Sequence, residues 1–306
     1  MSVSRLVAVT GCDSGLGWAV AARLAREGFI TIAGMHKGIE TEAAKALEKL
    51  CAHTFPLDVT RVESVQEFRK YVLTVLKDNP KYKFHAVVNN AGVMTVGKYE
   101  WMTASMIESP VHVNLLGAMR VISAFLPEIR KTAIETTSKP KPRIINVGSH
   151  CGLQPLPAFA AYSASKAGLL ALTRCLHLEH SEHGLAVIAF VPGGFVGSSN
   201  ILLGQETKGE AMVEHLNDEQ RKFYGNKIES LNNYLELASG EGKFDSMHDM
   251  KILNTFMKAM LDETPKLMYK VESWRYMFYY NLMRLPLPLF IHKWIIKQFL
   301  SFPDHQ

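Results

Sequence analysis

The sequence has little cysteine. Four residues (Cys12, Cys51, Cys151, Cys175) in a chain of 306, with no C-x-x-C pair and no His/Cys cluster at metal-ligand spacing, exclude a disulfide-stapled scaffold and a structural zinc site. That usage predicts a reducing, intracellular compartment and no metal. Long apolar runs are also missing. No window reaches ~18 uninterrupted apolar residues, so no membrane-spanning helix is expected. The opening MSVSRLVAVTG carries neither a signal h-region nor an Arg/Ser-rich transit segment. No block of Lys or Arg stands out from a net charge of +5, which argues against a nucleic-acid partner. Repeats and low-complexity linkers are absent too. With 47% hydrophobic and 21% charged residues, a disordered chain and a coiled coil are excluded.

What is present is an alternation of short apolar runs and longer amphipathic stretches. The runs at 5–10, 29–34, 52–58, 84–90, 143–149 and 185–193 are apolar throughout, as parallel strands buried on both faces are. KLMYKV (266–271) offers one more. Helical patterns of roughly 10–25 residues separate them, which predicts a doubly wound α/β parallel sheet. The whole chain, 1–306, reads as one domain. Within it, 4–195 is the dinucleotide-binding and catalytic core, 196–262 a helical lid subdomain and 272–306 an apolar tail.

The first strand ends in Thr10-Gly11-Cys12-Asp13-Ser14-Gly15-Leu16-Gly17, and a helix follows. Glycines at this spacing let backbone approach a pyrophosphate, which then sits at a helix N-terminus whose free N–H groups favour anions. The second strand ends Met35-His36-Lys37, with no acid to bind the ribose of NAD; His36 and Lys37 could meet a 2′-phosphate, so NAD and NADP both stay open. Asp58, beside Val59, reads either as a partner for the adenine amino group or as an ordinary helix cap.

Tyr162 and Lys166 stand four apart at the start of a helix and share one face. An ammonium beside a phenol stabilises phenolate, which suits the pair to move the proton of an alcohol or carbonyl. Ser149 lies 13 residues before Tyr162, at a strand end, where its hydroxyl can polarise the same substrate oxygen. Asn114 stands inside a helical stretch, an unfavourable place for Asn unless it serves a purpose such as a kink that holds a water leading to Lys166.

In order and spacing, Thr10-Gly11-x3-Gly15-x-Gly17, Asp58, Asn89-Asn90-Ala91-Gly92, Asn114, Ser149, Tyr162-x3-Lys166 and Pro192-Gly193 resemble the short-chain dehydrogenase/reductase family over about residues 4–200. The resemblance implies a single Rossmann-like domain, NAD or NADP as cofactor with NAD favoured, and a catalytic tetrad of Asn114, Ser149, Tyr162 and Lys166. It further implies cofactor contacts along the glycine turn, at Asn90, Ala91 and Gly92, and at Pro192, Gly193 and Phe195. Thr-Gly-Cys-Asp-Ser-Gly-Leu-Gly, Phe125-Leu126-Pro127, Pro192-Gly193-Gly194-Phe195, Tyr224-Gly225 and the greasy tail resemble one branch, that of retinol dehydrogenases, 17β-hydroxysteroid dehydrogenase type 2 and mitochondrial 3-hydroxybutyrate dehydrogenase. The sequence departs from the family where a Thr commonly binds the nicotinamide carboxamide: Gly197 stands there, with Ser198 and Ser199 next. Residue 148 is Gly where a second Ser is common.

The expected activity is hydride transfer between a nicotinamide cofactor and a lipid-like alcohol or ketone, a hydroxysteroid or retinol. The alternative is a small hydroxy acid of the 3-hydroxybutyrate type. Substrate contacts are assigned to Ser149, His150, Gln154, Leu156, Tyr162 and Phe195, mostly apolar in company. Mean hydropathy is +0.01, and the apolar excess gathers after Tyr269. From Leu287 to Phe302 an amphipathic helix is expected, entered through Pro286 and Pro288, with His292, Lys293, Lys297 and Ser301 on its polar side. It packs on the body or a second subunit, or lies in a membrane interface with Trp294 at headgroup level. Membrane association, with endoplasmic reticulum and mitochondrion not distinguished, and homo-oligomerisation are the expectations that follow.

Overall fold

The computed structural model describes residues 4–300. Seven strands form one sheet: β1 (Ser4–Thr10), β2 (Ile30–Met35), β3 (His53–Pro56), β4 (Tyr82–Asn89), β5 (Arg143–Val147), β6 (Ala186–Val191) and β7 (Met268–Lys270). Their order is β3-β2-β1-β4-β5-β6-β7 and every neighbouring pair is parallel. The crossovers between the first strands are α1 (Gly15–Arg26), α2 (Glu42–Glu48) and α3 (Val62–Asp78). Next come α4 (Ala104–Pro110), α5 (Ala118–Glu135), α6 (His150–Leu153) and α7 (Ala160–His180). The carboxyl-terminal part adds α8 (Gln205–His215), α9 (Asp218–Ala238), α10 (Met250–Leu261), α11 (Trp274–Met283) and α12 (Leu289–Leu300).

The continuous apolar strands have the two-sided burial that a doubly wound sheet demands. Val7, Val9, Ala33 and Ile188 pack under α1 on one face; Leu6, Ala8, Ile32 and Val87 pack with Phe68 and Phe125 of α3 and α5 on the other. Strand order reverses between β1 and β4, and a crevice opens there at the carboxyl ends of the strands. The helical stretch 104–135 is long and apolar enough to cross a membrane, yet Val121, Ile122, Phe125 and Ile129 bury its apolar side on the sheet.

One boundary differs from expectation. Helix α10 falls inside the stretch 196–262 expected to form a lid, but Ile252, Leu253, Phe256 and Met260 pack it into the core beside α1. The anchor is Arg143, fully buried on β5, whose guanidinium donates to the carbonyls of Ala259 and Asp262 at the end of α10. Of the stretch expected to form a lid, α8 and α9 pack apart from that core, with Met94, Val96 and Trp101. Asn217 and Gln220 start α9 with a reciprocal capping box.

His85 of β4 lies in the same buried corner, near the Met260 carbonyl. Burial, then the Arg143 cation, depresses its pKa from 6.5 to about 3. The folded state therefore keeps it neutral while the unfolded chain takes up a proton below 6.5, so stability drains as pH falls from 6.5 toward 3. The slope reaches at most about 1.4 kcal/mol per pH unit. Urea midpoints measured across this window should fall in the wild type, and His85→Gln should flatten the fall.

The tail forms two helices with unlike faces. Tyr280, Met283 and Ile295 are buried together with Leu156, which seals α11 and α12 onto the body. Pro288 precedes α12, and its carbonyl accepts from the N–H groups of Ile291 and His292. Trp274, Met277, Phe278, Leu289, Phe290 and Trp294 remain exposed, Phe290 at 71%. The expected helix end, Ser301 and Phe302, lies outside the described residues.

Candidate functional site

A cavity of about 500 Å³ occupies the crevice and runs from the glycine turn to Ser149 and Tyr162. The turn has the shape its glycines predict. Gly11 (φ +69°) and Gly15 (φ +58°) adopt left-handed backbone. A Cβ on Gly17 would stand 2.1 Å from the Gly11 carbonyl oxygen and 2.3 Å from Asn90 Nδ2. Asn90 closes the turn from β4: its amide donates to the Thr10 and Gly11 carbonyls at 3.0 and 2.9 Å. Thr10 returns the tie, its hydroxyl accepting from the N–H groups of Asn90 and Ala91 at 3.1 and 3.0 Å. Thr10 thus shapes the site without lining it.

Of the expected cofactor residues, Gly11, Asp13, Ser14, Gly15, Leu16, Gly17, His36, Asp58, Val59, Asn90, Ala91, Gly92, Tyr162, Lys166, Pro192, Gly193 and Phe195 line this cavity. Met35 and Lys37 do not. Met35 is buried in the core, and Lys37 is exposed, its N–H held by Asp13. Asp58 makes a local turn rather than a cap: Oδ1 accepts from the Thr60 N–H and hydroxyl at 2.9 and 2.7 Å. Partial burial works against its ionisation, but those two bonds outweigh it and hold the carboxyl below its usual range. Thr60 and Asn200 line the cavity too, and no sequence signal pointed to them. Ser199 also lines it, two residues beyond the Gly197 departure, so a hydroxyl does reach this wall.

The tetrad converges at the other end. Asn114 sits in a π-helical turn, Val111–Gly117, between α4 and α5, the kink its position suggested. Only 1% exposed, its amide clamps Val93 at both N–H (2.8 Å) and carbonyl (3.0 Å) and donates to Ser165 Oγ at 3.0 Å. Ser149 caps α6, and its hydroxyl lies in hydrogen-bonding reach of the Tyr162 phenol. Burial pushes that phenol above its ordinary value, partly offset by Ser149. Lys166 Nζ stands 5.9 Å from the centre of the Tyr162 ring and donates to the Val147 carbonyl at 2.8 Å. Burial lowers its pKa to about 8.

The substrate set divides. Ser149, Tyr162 and Phe195 face the cavity; His150, Gln154 and Leu156 do not. The short helix α6 turns His150 away, so that Nε2 meets Glu272 at 3.2 Å and the ring packs edge-on against Tyr276 and Tyr280. Leu156 is spent on sealing α11 and α12. A second cavity, about 370 Å³, lies between the lid and the tail and is lined by Met94, Val96, Phe159, Leu202, Tyr276 and Phe299, among others. Met94, Val96 and Leu202 share one apolar cluster with Tyr162.

A glycine cradle that any side chain would fill, a helix N-terminus behind it and a Tyr–Lys–Ser group facing it define a nicotinamide-dependent oxidoreductase. The chain belongs to the short chain dehydrogenase family, whose model matches residues 5–225. Mitochondrial D-beta-hydroxybutyrate dehydrogenase of Bos taurus is 32% identical over 73% of this chain and 64% of its own length. The chain thus spans just under two thirds of that relative. Human 17-beta-hydroxysteroid dehydrogenase type 2 is 28% identical over 94% of this chain and 72% of its own length. A short-chain dehydrogenase from Streptomyces avermitilis, 23% identical, has the same fold with a TM-score of 0.67 over 91% of both chains.

Proposed function

We propose that the protein interconverts a lipid-like secondary or primary alcohol, of the hydroxysteroid or retinol class, and its carbonyl. The observation that carries this reading is the second cavity, apolar but for Arg275, whose lining residues Met94, Val96, Phe159 and Leu202 pack in one cluster with Tyr162. A nicotinamide ring, when bound, supplies the hydride acceptor or donor. The glycine turn, Asn90, Ala91 and Gly92 would hold the dinucleotide. The Ser149 hydroxyl donates to the substrate oxygen. Tyr162 takes the alcohol proton or returns it, and the Lys166 ammonium stabilises the phenolate. Asn114 is a positioning residue: by clamping Val93 and Ser165 it fixes the loop after β4 against α7.

The hydroxy-acid alternative draws support from the bovine relative and needs a cation for the substrate carboxylate; Arg275 lines the second cavity, but its guanidinium donates to the Gln298 and Phe299 carbonyls and packs over the Tyr279 and Phe299 rings. His150 and Gln154, the polar candidates for that carboxylate, do not line the cavity. The exposed Trp274, Phe278, Phe290 and Trp294, beside Lys293, suit a tail that rests in a membrane interface, where greasy alcohols concentrate. The test is kcat/KM for 17β-hydroxysteroids and all-trans-retinol against 3-hydroxybutyrate. A preference of at least ~tenfold for a lipid alcohol, about 1.4 kcal/mol in the transition state, is expected. A preference for 3-hydroxybutyrate would overturn the reading.

A further inference from the structure

We infer that Asp13, from the glycine turn, sets the nucleotide preference of this protein, favouring a cofactor whose adenosine ribose keeps a free 2′-hydroxyl over one bearing a 2′-phosphate. The inference rests on the cavity being a nicotinamide dinucleotide site. In dinucleotide-binding sheets the acid that accepts from the ribose hydroxyls stands at the end of the second strand. Here β2 ends Ala33-Gly34-Met35 and runs on into His36-Lys37, with no acid.

Asp13 reaches that place from the preceding loop. Its Oδ2 accepts from the His36 N–H at 2.9 Å and its Oδ1 from the Lys37 N–H at 2.7 Å. These two bonds fix the carboxylate against the end of β2. Turning it away would strand both donors. A carboxylate has about four acceptor positions, so each oxygen keeps one for a hydroxyl donor. Asp13, His36, Asp58 and Thr60 all line the cavity. Lys37 is exposed and off the lining, while His36 and Arg61 favour the ionised Asp58 carboxyl, so the charge left uncompensated at this end is chiefly that of Asp13. A carboxylate at a ribose attracts a hydroxyl and repels a phosphate dianion.

The test measures dissociation constants for NADH and NADPH from the fluorescence of the reduced nicotinamide, with no substrate present. Wild-type protein should bind NADH at least ~tenfold more tightly than NADPH. Asp13→Asn keeps the shape and one acceptor for the two N–H groups but removes the charge. It should weaken NADH, strengthen NADPH and shrink the ratio by ~tenfold or more. Lys37→Ala should leave the ratio as it is. An unchanged ratio in a folded Asp13→Asn protein overturns the proposal, as does a wild type that prefers NADPH. If the Asn variant does not melt cooperatively, the wild-type ratio decides alone. Binding of neither nucleotide would overturn the dinucleotide site itself, a failure distinct from equal binding of both.

Discussion

Tyr162→Phe is expected to lower kcat by about 10³-fold, within the usual range for loss of a general acid–base. Nucleotide affinity and melting temperature should stay near their wild-type values. The phenol is only 7% exposed and sits among Met94, Val96 and Leu202, where a Phe ring fits without a cavity. The substitution removes the proton-carrying oxygen and its link to Ser149. Lys166 keeps its bond to the Val147 carbonyl, so the nucleotide end of the cavity is left as it was. The parallel Lys166→Ala change is less clean, because it orphans that carbonyl as well as removing the charge. Steady-state kinetics with nucleotide titrations separates the two. Retention of most of the turnover by Tyr162→Phe would remove the phenol from the reaction.

Gly17→Ala is the second large effect, and it falls on binding. The added Cβ would meet the Gly11 carbonyl oxygen at 2.1 Å and Asn90 Nδ2 at 2.3 Å. Neither can retreat, since Asn90 Nδ2 is itself bonded to the Thr10 and Gly11 carbonyls. Overpacking of this kind costs about 1–3 kcal/mol, and the displaced turn is the surface on which the pyrophosphate rests. We expect a lower melting temperature and a loss of NADH affinity of ~100-fold or more. Gly15→Ala makes a useful contrast. Its nearest neighbour is Ser199 Cα at 3.5 Å, so only the strain of φ +58° opposes it, about 1–2 kcal/mol. Calorimetry and fluorescence titration of both variants should rank Gly17 far above Gly15.

Much of this architecture was legible in the sequence because its causes are local. The strands announce themselves as apolar runs, the turn by glycines that sterics require, and Tyr162 and Lys166 by a four-residue spacing on one helix. Features set by distant partners were not legible. His150 follows Ser149 directly and looked like a substrate contact. Its orientation is decided by Glu272, 122 residues away, and by two tyrosines of α11. Helix α10 resembles more lid in the sequence because its placement depends on Arg143, which bonds the nearby Lys141 carbonyl but also carbonyls more than 115 positions onward. Asp13 was read as part of a phosphate turn, and nothing local reveals that it crosses to His36 and Lys37. The tail posed a choice between packing and exposure, and the helices do both, on opposite faces.

The transferred hydrogen can itself be followed. A 17β-hydroxysteroid or all-trans-retinol carrying deuterium on the carbinol carbon is incubated with the protein and oxidised nicotinamide cofactor, and the reduced cofactor is analysed by mass spectrometry. Deuterium should appear at C4 of the nicotinamide in one-to-one yield with the carbonyl product, and almost none with Tyr162→Phe. Carbonyl product formed without deuterium in the cofactor would contradict the expected transfer, as would label transfer undiminished in Tyr162→Phe.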